Sequence, residues 1–334
     1  MKVAINGFGR IGKLVFRAFV EKNLKGAEIV AINELGGLDS SLHLMQFDSI
    51  HGKLPVEIKK TRKGLKYKNK EIKFYSERDP SNLPWKELKV DVVLECSGVF
   101  ASKEKASSHL IAGAKKVIIS APGTNVDATI VQGVNNNILK SKHNVISNGS
   151  CTTNCLAPVA MVLDKNVGIE SGFMTTIHSY TGDQRTVDQT HSDFRRARGA
   201  AISMIPTSTG AAKALSLVLP KMKGKLDGTA IRVPTPNVSL IDFTFTSRKK
   251  TSVEKINSFV ISASKTKVLK NILTTNKLPL VSIDFNHNSS SSVFDLTQTQ
   301  VINGKFCRIL SWYDNEWGFS NRMIETMMEL KKFL

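Results

Sequence analysis

A glycine-rich motif near the start of the chain constrains its fold more than any other feature. The segment Lys2–Asn6 reads as a β-strand, and the motif that follows it, Gly7–Gly12, opens a helix-like stretch. Gly7 permits the tight turn, Gly9 lets a pyrophosphate approach the backbone, and Gly12 lets the helix pack closely on the strand. The free N–H groups at the start of the helix attract phosphate. The motif therefore predicts a βαβ unit that binds a dinucleotide.

A carboxylate at the end of the next strand supports this interpretation. Ile29–Asn33 reads as the second strand, and Glu34 follows it, about 20 residues beyond the glycine motif, as in NAD-binding units. A carboxylate there accepts both ribose hydroxyls of NAD and repels the additional phosphate of NADP. Taken alone, Glu34 is also compatible with a solvated loop acid. With strand, motif, helix, strand and acid in this order, the pattern indicates NAD binding.

The rhythm of the apolar segments divides the chain near residue 150, and 334 residues suit two domains. Before this point strands alternate with helices, which is typical of a parallel α/β sheet. After it, longer strands mix polar and apolar positions, as in an antiparallel or mixed sheet. We therefore predict an α/β fold class with a Rossmann-type dinucleotide-binding domain over residues 1–149. An α+β domain with a mixed or antiparallel sheet is predicted over residues 150–315.

Several further elements follow from the same periodicity. The first part has buried strands at Asp91–Cys96, Lys116–Ser120 and Asn144–Ser147. The second part has strands at Gly172–Tyr180, Thr229–Val233, Val238–Thr246 and Phe306–Tyr313, with helices near Gly210–Leu219 and Ser252–Lys265. The final segment, Ser320–Phe333, is helix-like, and its apolar stripe indicates packing rather than a binding site.

A cysteine at a strand–helix junction is the candidate nucleophile. Cys151 comes shortly after the strand Asn144–Ser147 and leads into an apolar, helix-like segment. At a helix N-terminus the dipole stabilises a thiolate and lowers the pKa of the thiol. Most free cysteines simply pack, and Cys155, one helical turn later, is predicted to do so. The junction and the neighbouring hydroxyl groups favour nucleophilic chemistry for Cys151.

A candidate base and candidate anion-binding groups lie further along the chain. His178 ends a predicted strand, from which its side chain can project into a cleft, while the other histidines lie in polar or turn-like contexts. Thr209 and Gly210 precede a helix, an arrangement suited to phosphate. Arg232 lies within an apolar run, where a buried charge requires an anionic partner. A structural histidine, a helix cap and a structural ion pair are the respective alternatives.

Composition limits the classes of partner. The chain has 47 basic and 28 acidic residues and a net charge of +19, but its lysines are scattered without interleaved aromatic residues. This predicts a lysine-rich surface that attracts anionic substrates and cofactors, and no specific nucleic acid. No apolar run is long enough for a membrane span, and no separate signal region begins the chain. The 4 cysteines have no metal-ligand or disulfide-scaffold spacing, so we expect a cytoplasmic protein without a metal.

Together these motifs resemble the phosphorylating glyceraldehyde-3-phosphate dehydrogenase family nearly end to end. The most specific segments are Ile5–Gly12, Ser150–Pro158, His178–Thr181, Thr209–Ala214, Arg232–Ser239 and Trp312–Glu316. The resemblance implies reversible oxidation of D-glyceraldehyde 3-phosphate with NAD and inorganic phosphate to 1,3-bisphosphoglycerate, in glycolysis and gluconeogenesis. It implies that Cys151 forms a hemithioacetal and then a thioester, with His178 as the base.

The resemblance also implies ligand contacts and an assembly. The substrate phosphate would contact Thr181, Arg196 and Arg232, and the attacking phosphate Ser150, Thr152, Thr209 and Gly210. NAD would contact Gly7, Gly9, Arg10, Ile11, Gly12, Glu34, Arg78, Ser120 and Asn315, the last through the nicotinamide amide. The family is tetrameric, with an S-shaped loop, here about Tyr180–Ser203, near a neighbour's cofactor. A C-terminal helix, residues 316–334, would return to the nucleotide-binding domain.

Two positions depart from the family pattern. The ribose-binding acid is usually aspartate, whereas this chain has Glu34, one methylene longer. Gln189 and Thr190 stand where NAD-specific members generally carry Leu-Pro, and members that accept NADP have a small hydroxyl residue there. Glu34 favours NAD, and Thr190 removes one obstacle to NADP. We expect NAD to be preferred, with NADP as a secondary cofactor.

Two alternative functions stay open at this point. Erythrose-4-phosphate dehydrogenase shares the nucleophile segment. Two further segments favour this alternative, Glu34–Leu35 and Asp284–His287. In contrast, Thr181, Arg185 and Thr209–Lys213 follow the glyceraldehyde-3-phosphate pattern at positions that bind phosphate. The second alternative is a protein that keeps the dehydrogenase fold mainly to bind RNA, given the charge of +19. The intact set of catalytic residue types argues against it.

Overall fold

The computed structural model describes all 334 residues, which form two compact units. The first unit comprises Met1–Ile130, Asn136–Gly149 and Ser320–Leu334. The second comprises Val131–Asn135 and Ser150–Phe319. Among the helices, none combines the length and the apolar character that a membrane span requires.

The first unit contains a sheet of nine strands and five short or medium helices, followed by part of the last helix. Its strands are β1 Lys2–Asn6, β2 Glu28–Asn33, β3 Phe47–Asp48, β4 Gly52–Lys53, β5 Lys59–Thr61, β6 Gly64–Tyr67, β7 Lys70–Tyr75, β8 Val92–Glu95, β9 Lys116–Ile119, β10 Ala128–Thr129 and β11 Val145–Ser147. Its helices are α1 Arg10–Glu21, α2 Leu38–Gln46, α3 Trp85–Leu88, α4 Lys103–Ala106 and α5 Ser108–Ile111. Short 3-10 turns cover Pro80–Asn82 and Asn136–Ile138.

The strand order in this sheet is β10-β11-β9-β8-β1-β2-β7-β6-β5. The pairings from β10 to β7 are parallel, whereas β5, β6 and β7 pair antiparallel, and β3 and β4 form a separate ribbon. The central strands are buried on both faces, which a parallel sheet covered by helices requires. Their carboxyl ends lie in register, because Asn6 is opposite both Asn33 and Glu95. This edge is where ligands bind in open α/β sheets.

The second unit is built on a mixed sheet of eight strands. Its strands are β12 Ile169–Ser179, β13 Ile205–Ser208, β14 Leu226–Val233, β15 Ser239–Ser247, β16 Leu273–Asn276, β17 Ser292–Asp295, β18 Gln300–Ile302 and β19 Phe306–Tyr313. Its helices are α6 Cys151–Asn166, α7 Ala211–Val218 and α8 Val253–Ser264, and α9 Trp317–Leu330 begins in this unit and ends in the first. Further 3-10 turns cover Pro220–Met222, Ser282–Phe285 and Lys331–Phe333.

The order β13-β14-β12-β15-β19-β17-β16 combines parallel and antiparallel pairs, and β18 pairs with β19. Helix α6 lies on this sheet and is buried along almost its whole length, with Leu156 and Val159 in a core that includes Phe243 and Ile309. Strand β15 alternates buried and half-buried residues, as expected for a sheet with one face on a core. The predicted fold class is confirmed: a nucleotide-binding α/β part and a part with a mixed sheet.

The division of the chain differs from the predicted one at Val131–Asn135, which belongs to the second unit. Val131 is fully buried in the apolar core of that unit, and the backbone of Gly133 lies against Leu269 and Ile272. This packing, rather than its place in the sequence, makes the segment part of the second unit. The predicted boundary at residues 315/316 also moves, because the chain enters the first unit at Ser320.

Candidate active site

The first turn of α6 carries the candidate nucleophile. The chain leaves β11, turns at Gly149 with a φ of 66°, and begins the helix at Cys151. Ser150 is the N-cap, and its Oγ accepts a hydrogen bond of 3.0 Å from the backbone N–H of Thr153. Such a cap satisfies one of the unpaired donors at a helix start. The half-buried thiol of Cys151 therefore lies at the positive end of a long helix.

His178 faces this thiol from the end of β12. Its Nε2 atom lies 3.6 Å from Cys151 Sγ, within the range of a hydrogen bond to sulphur. The imidazole is buried, and its Nδ1 lies 2.7 Å from the carbonyl oxygen of Ser179. The edge of the ring packs on Tyr313, with 6.0 Å between ring centroids. The candidate nucleophile and a candidate base whose ring is held by a third group are thus adjacent in the second unit.

Arg232 lies directly beside His178, because the two residues are opposite each other in the parallel pair β12 and β14. Its Nη1 is 3.0 Å from His178 Nδ1, 3.1 Å from the carbonyl oxygen of Ser179 and 3.5 Å from Thr181 Oγ1. Its Nε is buried without a hydrogen-bond partner. An unpartnered guanidinium N–H beside a threonine hydroxyl fits an anionic group of a ligand.

Burial dominates the ionisation of the pair and corrects the expectation of a lowered thiol pKa. Burial raises the pKa of the Cys151 thiol above its usual value, although the charge of Arg232 and hydrogen bonds from Thr152 and the backbone act in the opposite direction. Burial and, to a smaller extent, the charge of Arg232 together lower the pKa of His178 to about 3. In the free chain the pair is therefore a thiol beside a neutral imidazole.

Tyr313 connects the helix that carries Cys151 to the strand that carries His178. Its hydroxyl lies 2.9 Å from Thr152 Oγ1 and 2.8 Å from Thr176 Oγ1, and all three side chains are buried. The sequence reasoning missed this residue, since the contact depends on how β12, β15 and β19 pair. The only sequence signal is the position of Tyr313 inside the specific segment Trp312–Glu316.

The candidate phosphate groups do not form one cluster. Thr209 and Gly210 lie at the start of α7, which has no side-chain cap, and Thr209 Oγ1 accepts a 3.2 Å bond from the N–H of Ala211. Strand β13 places Ser208 opposite Thr229, so this helix start lies about 10 Å along β14 from Arg232. The second unit thus offers two separate places for anions.

The other predicted phosphate contacts have protein partners. Ser150 Oγ is used in the cap of α6, and Thr152 Oγ1 is bonded to Tyr313. Arg196 forms ion pairs with Asp183 at 2.7 Å and Asp193 at 3.3 Å. Arg196 still lies close enough to Arg232 for its charge to lower the pKa of that guanidinium, after the larger effect of burial. Its role at the substrate phosphate therefore stays a prediction.

In the first unit, the glycine motif forms a cradle at the carboxyl edge of the sheet. Gly7 has a φ of +83°, and a side chain there would meet the backbone of Ser97 at 2.4 Å. A side chain on Gly12 would lie 2.1 Å from the carbonyl oxygen of Gly7, whereas the space at Gly9 is open. Helix α1 begins without a side-chain cap or an acidic residue in its first turn. These features fit a pyrophosphate on the helix start.

The remaining nucleotide candidates surround this cradle. Glu34 Oε2 accepts a 2.6 Å hydrogen bond from the N–H of Phe8, and its Oε1 accepts one of 2.8 Å from Gly36. Arg10 forms an ion pair of 2.6 Å with Asp48. Ile11 lies half-buried in the first turn of α1, and Arg78 is exposed after β7. Ser120 follows β9, and its N–H donates to the carbonyl oxygen of Glu95.

Asn315 is held in the second unit by two serines. Its Oδ1 accepts hydrogen bonds of 2.9 Å from Ser179 Oγ and 2.9 Å from Ser239 Oγ. Its neighbour Asp314 is buried and accepts bonds from the N–H groups of Glu316 and Trp317. The amide of Asn315 is therefore fixed with its oxygen inward. No group of three or more His, Cys, Asp or Glu side chains is arranged to hold a metal ion.

Comparisons with known proteins agree over the whole chain. A family model described as the NAD binding domain of glyceraldehyde 3-phosphate dehydrogenase matches residues 1–103, and a model of the C-terminal domain matches residues 150–315. The glyceraldehyde-3-phosphate dehydrogenase of Xanthobacter flavus is 57% identical over 332 residues, 99% of each chain. That of Cereibacter sphaeroides is 53% identical over 334 residues, 100% of this chain and 99% of the relative. That of Geobacillus stearothermophilus is 52% identical over 326 residues, 97% and 96% of the two chains.

Proposed function

The chain belongs to the glyceraldehyde-3-phosphate dehydrogenase family, and from this premise we propose that it catalyses the phosphorylating oxidation of D-glyceraldehyde 3-phosphate. NAD is the cofactor, inorganic phosphate is the second substrate, and 1,3-bisphosphoglycerate is the product. The reaction is reversible and serves glycolysis and gluconeogenesis. The observation that carries the proposal is the 3.6 Å approach of Cys151 Sγ to His178 Nε2 beside Arg232.

The reaction divides into three steps at Cys151. The thiol adds across the aldehyde: sulphur bonds to the carbon, and His178 carries the thiol proton to the oxygen. His178 then removes this hydroxyl proton while the carbon loses hydride, which leaves a thioester. Phosphate attacks the thioester carbon, the C–S bond breaks, and the acyl phosphate departs while His178 returns its proton to the sulphur, which restores the thiol. When bound, NAD supplies the acceptor of the hydride.

The histidine must present the correct tautomer for these steps. A base at Nε2 requires the hydrogen on Nδ1, where the carbonyl oxygen of Ser179 accepts it at 2.7 Å. The guanidinium of Arg232, 3.0 Å from the same nitrogen, favours the opposite tautomer. A substrate phosphate that takes the hydrogen bond of Arg232 leaves Ser179 as the sole partner of Nδ1. Binding of the substrate would in this way prepare His178 as the base.

Developing negative charge on the substrate oxygen also needs a donor. The N–H of Cys151 lies at the start of α6, where backbone N–H groups have no partner within the helix. We assign this N–H and the protonated His178 to the oxyanion. Donors fixed in advance at such a position typically contribute a factor of about 10²–10³ to the rate.

Two anion sites serve the two phosphates. Arg232 and Thr181 are assigned to the substrate phosphate, because the buried Nε of Arg232 lacks a partner. The N-terminal ends of α6 and α7 are assigned to the attacking phosphate through four residues, Ser150, Thr152, Thr209 and Gly210. Arg196, whose charge acts on Arg232, is assigned to the same phosphate while it also pairs with Asp183 and Asp193.

Cofactor contacts are assigned residue by residue. The glycine cradle Gly7–Gly12, with Arg10 and Ile11, receives the pyrophosphate, and Glu34 receives the adenosine ribose. Three further contacts are assigned to Arg78, Ser120 and Asn315. The fixed amide of Asn315 turns its NH₂ group outward, and this donor suits the carbonyl oxygen of the nicotinamide amide. The charge of Glu34 favours NAD, with NADP as a secondary cofactor.

We propose that the protein is a homotetramer, and several solvent-exposed apolar side chains on one segment support an interface between copies. Between residues 180 and 204 the side chains of Val187, Phe194, Ile202 and Met204 are 73%, 86%, 87% and 76% exposed. Such patches usually mark protein interfaces. We assign the S-shaped loop, about Tyr180–Ser203, together with the adjoining Met204, to contacts with neighbouring copies. The free thiols of all four cysteines suit a reducing compartment, and we propose the cytoplasm.

A cofactor-reduction assay tests the proposed reaction. Purified protein, glyceraldehyde 3-phosphate and NAD are mixed with and without inorganic phosphate, and formation of the reduced cofactor is followed. Sustained turnover is expected only with phosphate, and Cys151→Ser is the inactive control. Turnover that is indifferent to phosphate, or a preference for erythrose 4-phosphate in a parallel assay, contradicts the proposal.

A further inference from the structure

A chain of buried polar side chains runs beneath the nucleotide edge of the first unit, and the proposed chemistry uses none of them. It consists of Trp85, His109, Glu95, Asn6 and Asn33, each at most 4% exposed. Burying so many polar groups is unfavourable unless every group has a partner. A fully bonded network of this kind fixes one arrangement of the elements that carry it.

The carboxylate of Glu95 is the centre of the network. Its Oε2 accepts hydrogen bonds of 2.6 Å from Asn6 Nδ2 and 2.8 Å from His109 Nε2. Its Oε1 accepts a bond of 2.8 Å from the N–H of Ser97 and another from the hydroxyl of the same residue. No lysine or arginine pairs with this buried carboxylate, so neutral donors surround it.

The tautomer of His109 follows from its other neighbour. Trp85 Nε1 lies 3.1 Å from His109 Nδ1, and an indole nitrogen can only donate. His109 Nδ1 must therefore accept, which places the ring hydrogen on Nε2 and directs it at Glu95. The ring is neutral in this arrangement, and Glu95 is an ionised acceptor of four donors.

The partners of Glu95 are the two walls of the glycine turn. Asn6 directly precedes Gly7 in the chain, and Ser97 lies so close to Gly7 that a side chain there would approach its Cα to 2.4 Å. Since one carboxylate binds both walls, it sets the distance between them. The cradle for the pyrophosphate is therefore shaped by a group that does not line it.

The network extends to the loops that carry the other nucleotide candidates. Asn6 Oδ1 accepts a 2.7 Å bond from Asn33 Nδ2, and Asn33 directly precedes Glu34. Asn33 also bonds both backbone groups of Glu77, with Nδ2 donating at 2.9 Å and Oδ1 accepting at 2.8 Å. Arg78 is the next residue. The same chain of bonds thus reaches the neighbours of Gly7, Glu34 and Arg78.

We propose that ionised Glu95, held by the Nε2–H tautomer of His109, is a positioning residue for NAD. It fixes the glycine turn and, through Asn6 and Asn33, the residues beside the ribose acid and Arg78. The inference rests on the proposed function in that these residues contact NAD. It assigns no step of the chemistry at Cys151 to Glu95.

The test is the affinity for NAD of Glu95→Gln, measured by calorimetry without substrate. Glutamine has the same shape, but its NH₂ group faces donors wherever it is placed. We expect the Kd for NAD and the KM for NAD to rise about tenfold, the factor of one lost hydrogen bond of about 1.4 kcal/mol. The kcat at saturating NAD and the rate of Cys151 alkylation should stay within twofold of the original, and the ¹H–¹⁵N signal of the Trp85 indole should shift.

A matched variant separates positioning from general loss of buried bonds. Lys116→Met removes a buried amine that bonds the carbonyl oxygens of Ser141 and His143, at the opposite end of the sheet. We expect its Kd for NAD to stay unchanged. An equal rise in Kd in both variants, or an unchanged Kd in Glu95→Gln, overturns the proposal.

A milder variant tests the proposal if Glu95→Gln folds poorly. Ser97→Ala removes one donor to Glu95 from a half-buried loop, and its Kd for NAD should rise about threefold, since Glu95 keeps its other three donors. An unchanged Kd overturns the proposal. Phosphate-dependent turnover of the original protein is measured in the same preparation. Its absence would contradict the proposed function, while the comparison of NAD affinities would still decide the role of Glu95.

Discussion

Cys151 and His178 show how burial and charge compete at single residues. Burial raises the pKa of the thiol and lowers that of the imidazole, so both groups favour their neutral forms. The cation of Arg232 opposes burial at the thiol but reinforces it at the imidazole, since it stabilises negative and destabilises positive charge. The reactivity of the pair therefore depends on what happens to one guanidinium.

Replacement of Arg232 by leucine tests this dependence. Its charge lowers the pKa of the Cys151 thiol against the effect of burial, so its loss should raise that pKa. Thiolate forms above the pKa, and the alkylation profile with iodoacetamide should therefore move to higher pH, with a roughly tenfold slower reaction at pH 7. Arg196→Leu, which removes a cation paired with Asp183, should leave the profile in place. An unmoved profile in Arg232→Leu contradicts this account.

The charge of Glu34 should decide the choice of cofactor. In Glu34→Ser the acceptor for the ribose and for the N–H of Phe8 is lost, and repulsion of the NADP phosphate disappears. We expect kcat/KM for NAD to fall about tenfold, equivalent to about 1.4 kcal/mol, and kcat/KM for NADP to rise. Glu34→Asp, which keeps the charge, should retain the preference for NAD. A ratio of the two cofactors unaffected by Glu34→Ser would show that another residue selects between them.

At the scale of elements, regular apolar periodicity predicted the positions of several strands and helices well. The strand Phe306–Tyr313 was predicted with its observed bounds, and the helix predicted near Gly210–Leu219 spans Ala211–Val218. The antiparallel strands β5 to β7 were not predicted. They are short and rich in lysine, and among them only Gly64, Leu65 and Ile72 are buried. With so few apolar positions, neighbouring strands rather than local pattern define these elements.

In the candidate site, the sequence predicted the positions that depend on local pattern but not the contacts between distant segments. The sequence indicated Cys151 at a helix start and His178 at a strand end, because both positions follow from local periodicity. It could not show the contact between them, the bridging hydroxyl of Tyr313 or the ion pairs of Arg196. These depend on pairing between segments far apart in the chain. The roles assigned to the site residues stay predictions for the experiments above.

Asp127 ties three elements together and should make the first unit sensitive to acid. Burial alone raises its pKa, but Lys103 and the N–H groups of Val145 and Asn144 outweigh burial and lower it. A carboxyl with a lowered folded pKa stabilises above its unfolded value, near 3.8, and this contribution is lost as the pH falls through the folded pKa.

Asp127→Asn should therefore lower the free energy of unfolding by about 1–2 kcal/mol at pH 7. The difference from the original protein should shrink below about pH 4, as denaturant titrations at several pH values would show. Asp39→Asn, at an exposed ion pair with Lys60, should have little effect at any pH. A penalty for Asp127→Asn that is constant with pH would mean that charge is not involved.

At the scale of the whole molecule, surface composition points in two directions. The net charge of +19 disfavours non-specific association of copies by repulsion. The exposed apolar side chains between residues 180 and 204 favour association at one place. A specific assembly with this segment at its interface satisfies both tendencies.

Charge placed in that segment should break the assembly. Phe194→Asp combined with Ile202→Asp buries two carboxylates in any interface made by the loop, which is strongly unfavourable without partners. Sedimentation velocity should show a species smaller than the tetramer expected for the original protein. Ile111→Asp, at an exposed apolar residue of the first unit, is the comparison and should leave the assembly intact. An unchanged sedimentation coefficient in the double variant would exclude the loop from the interface.

The first unit is assembled from three stretches of chain, and the last of them, Ser320–Leu334, follows the entire second unit. Met323 and Met327 of this stretch are fully buried, and Thr326 Oγ1 bonds Asn148 Oδ1 at 2.8 Å. During translation the earlier stretches leave the ribosome long before this helix exists. Until then the apolar surface that this helix covers stays exposed on the nascent unit, and chaperones bind exposed apolar surface of this kind. A nonsense codon within Ser320–Leu334 would consequently damage the nucleotide-binding unit first, although most of that unit is encoded at the start of the gene.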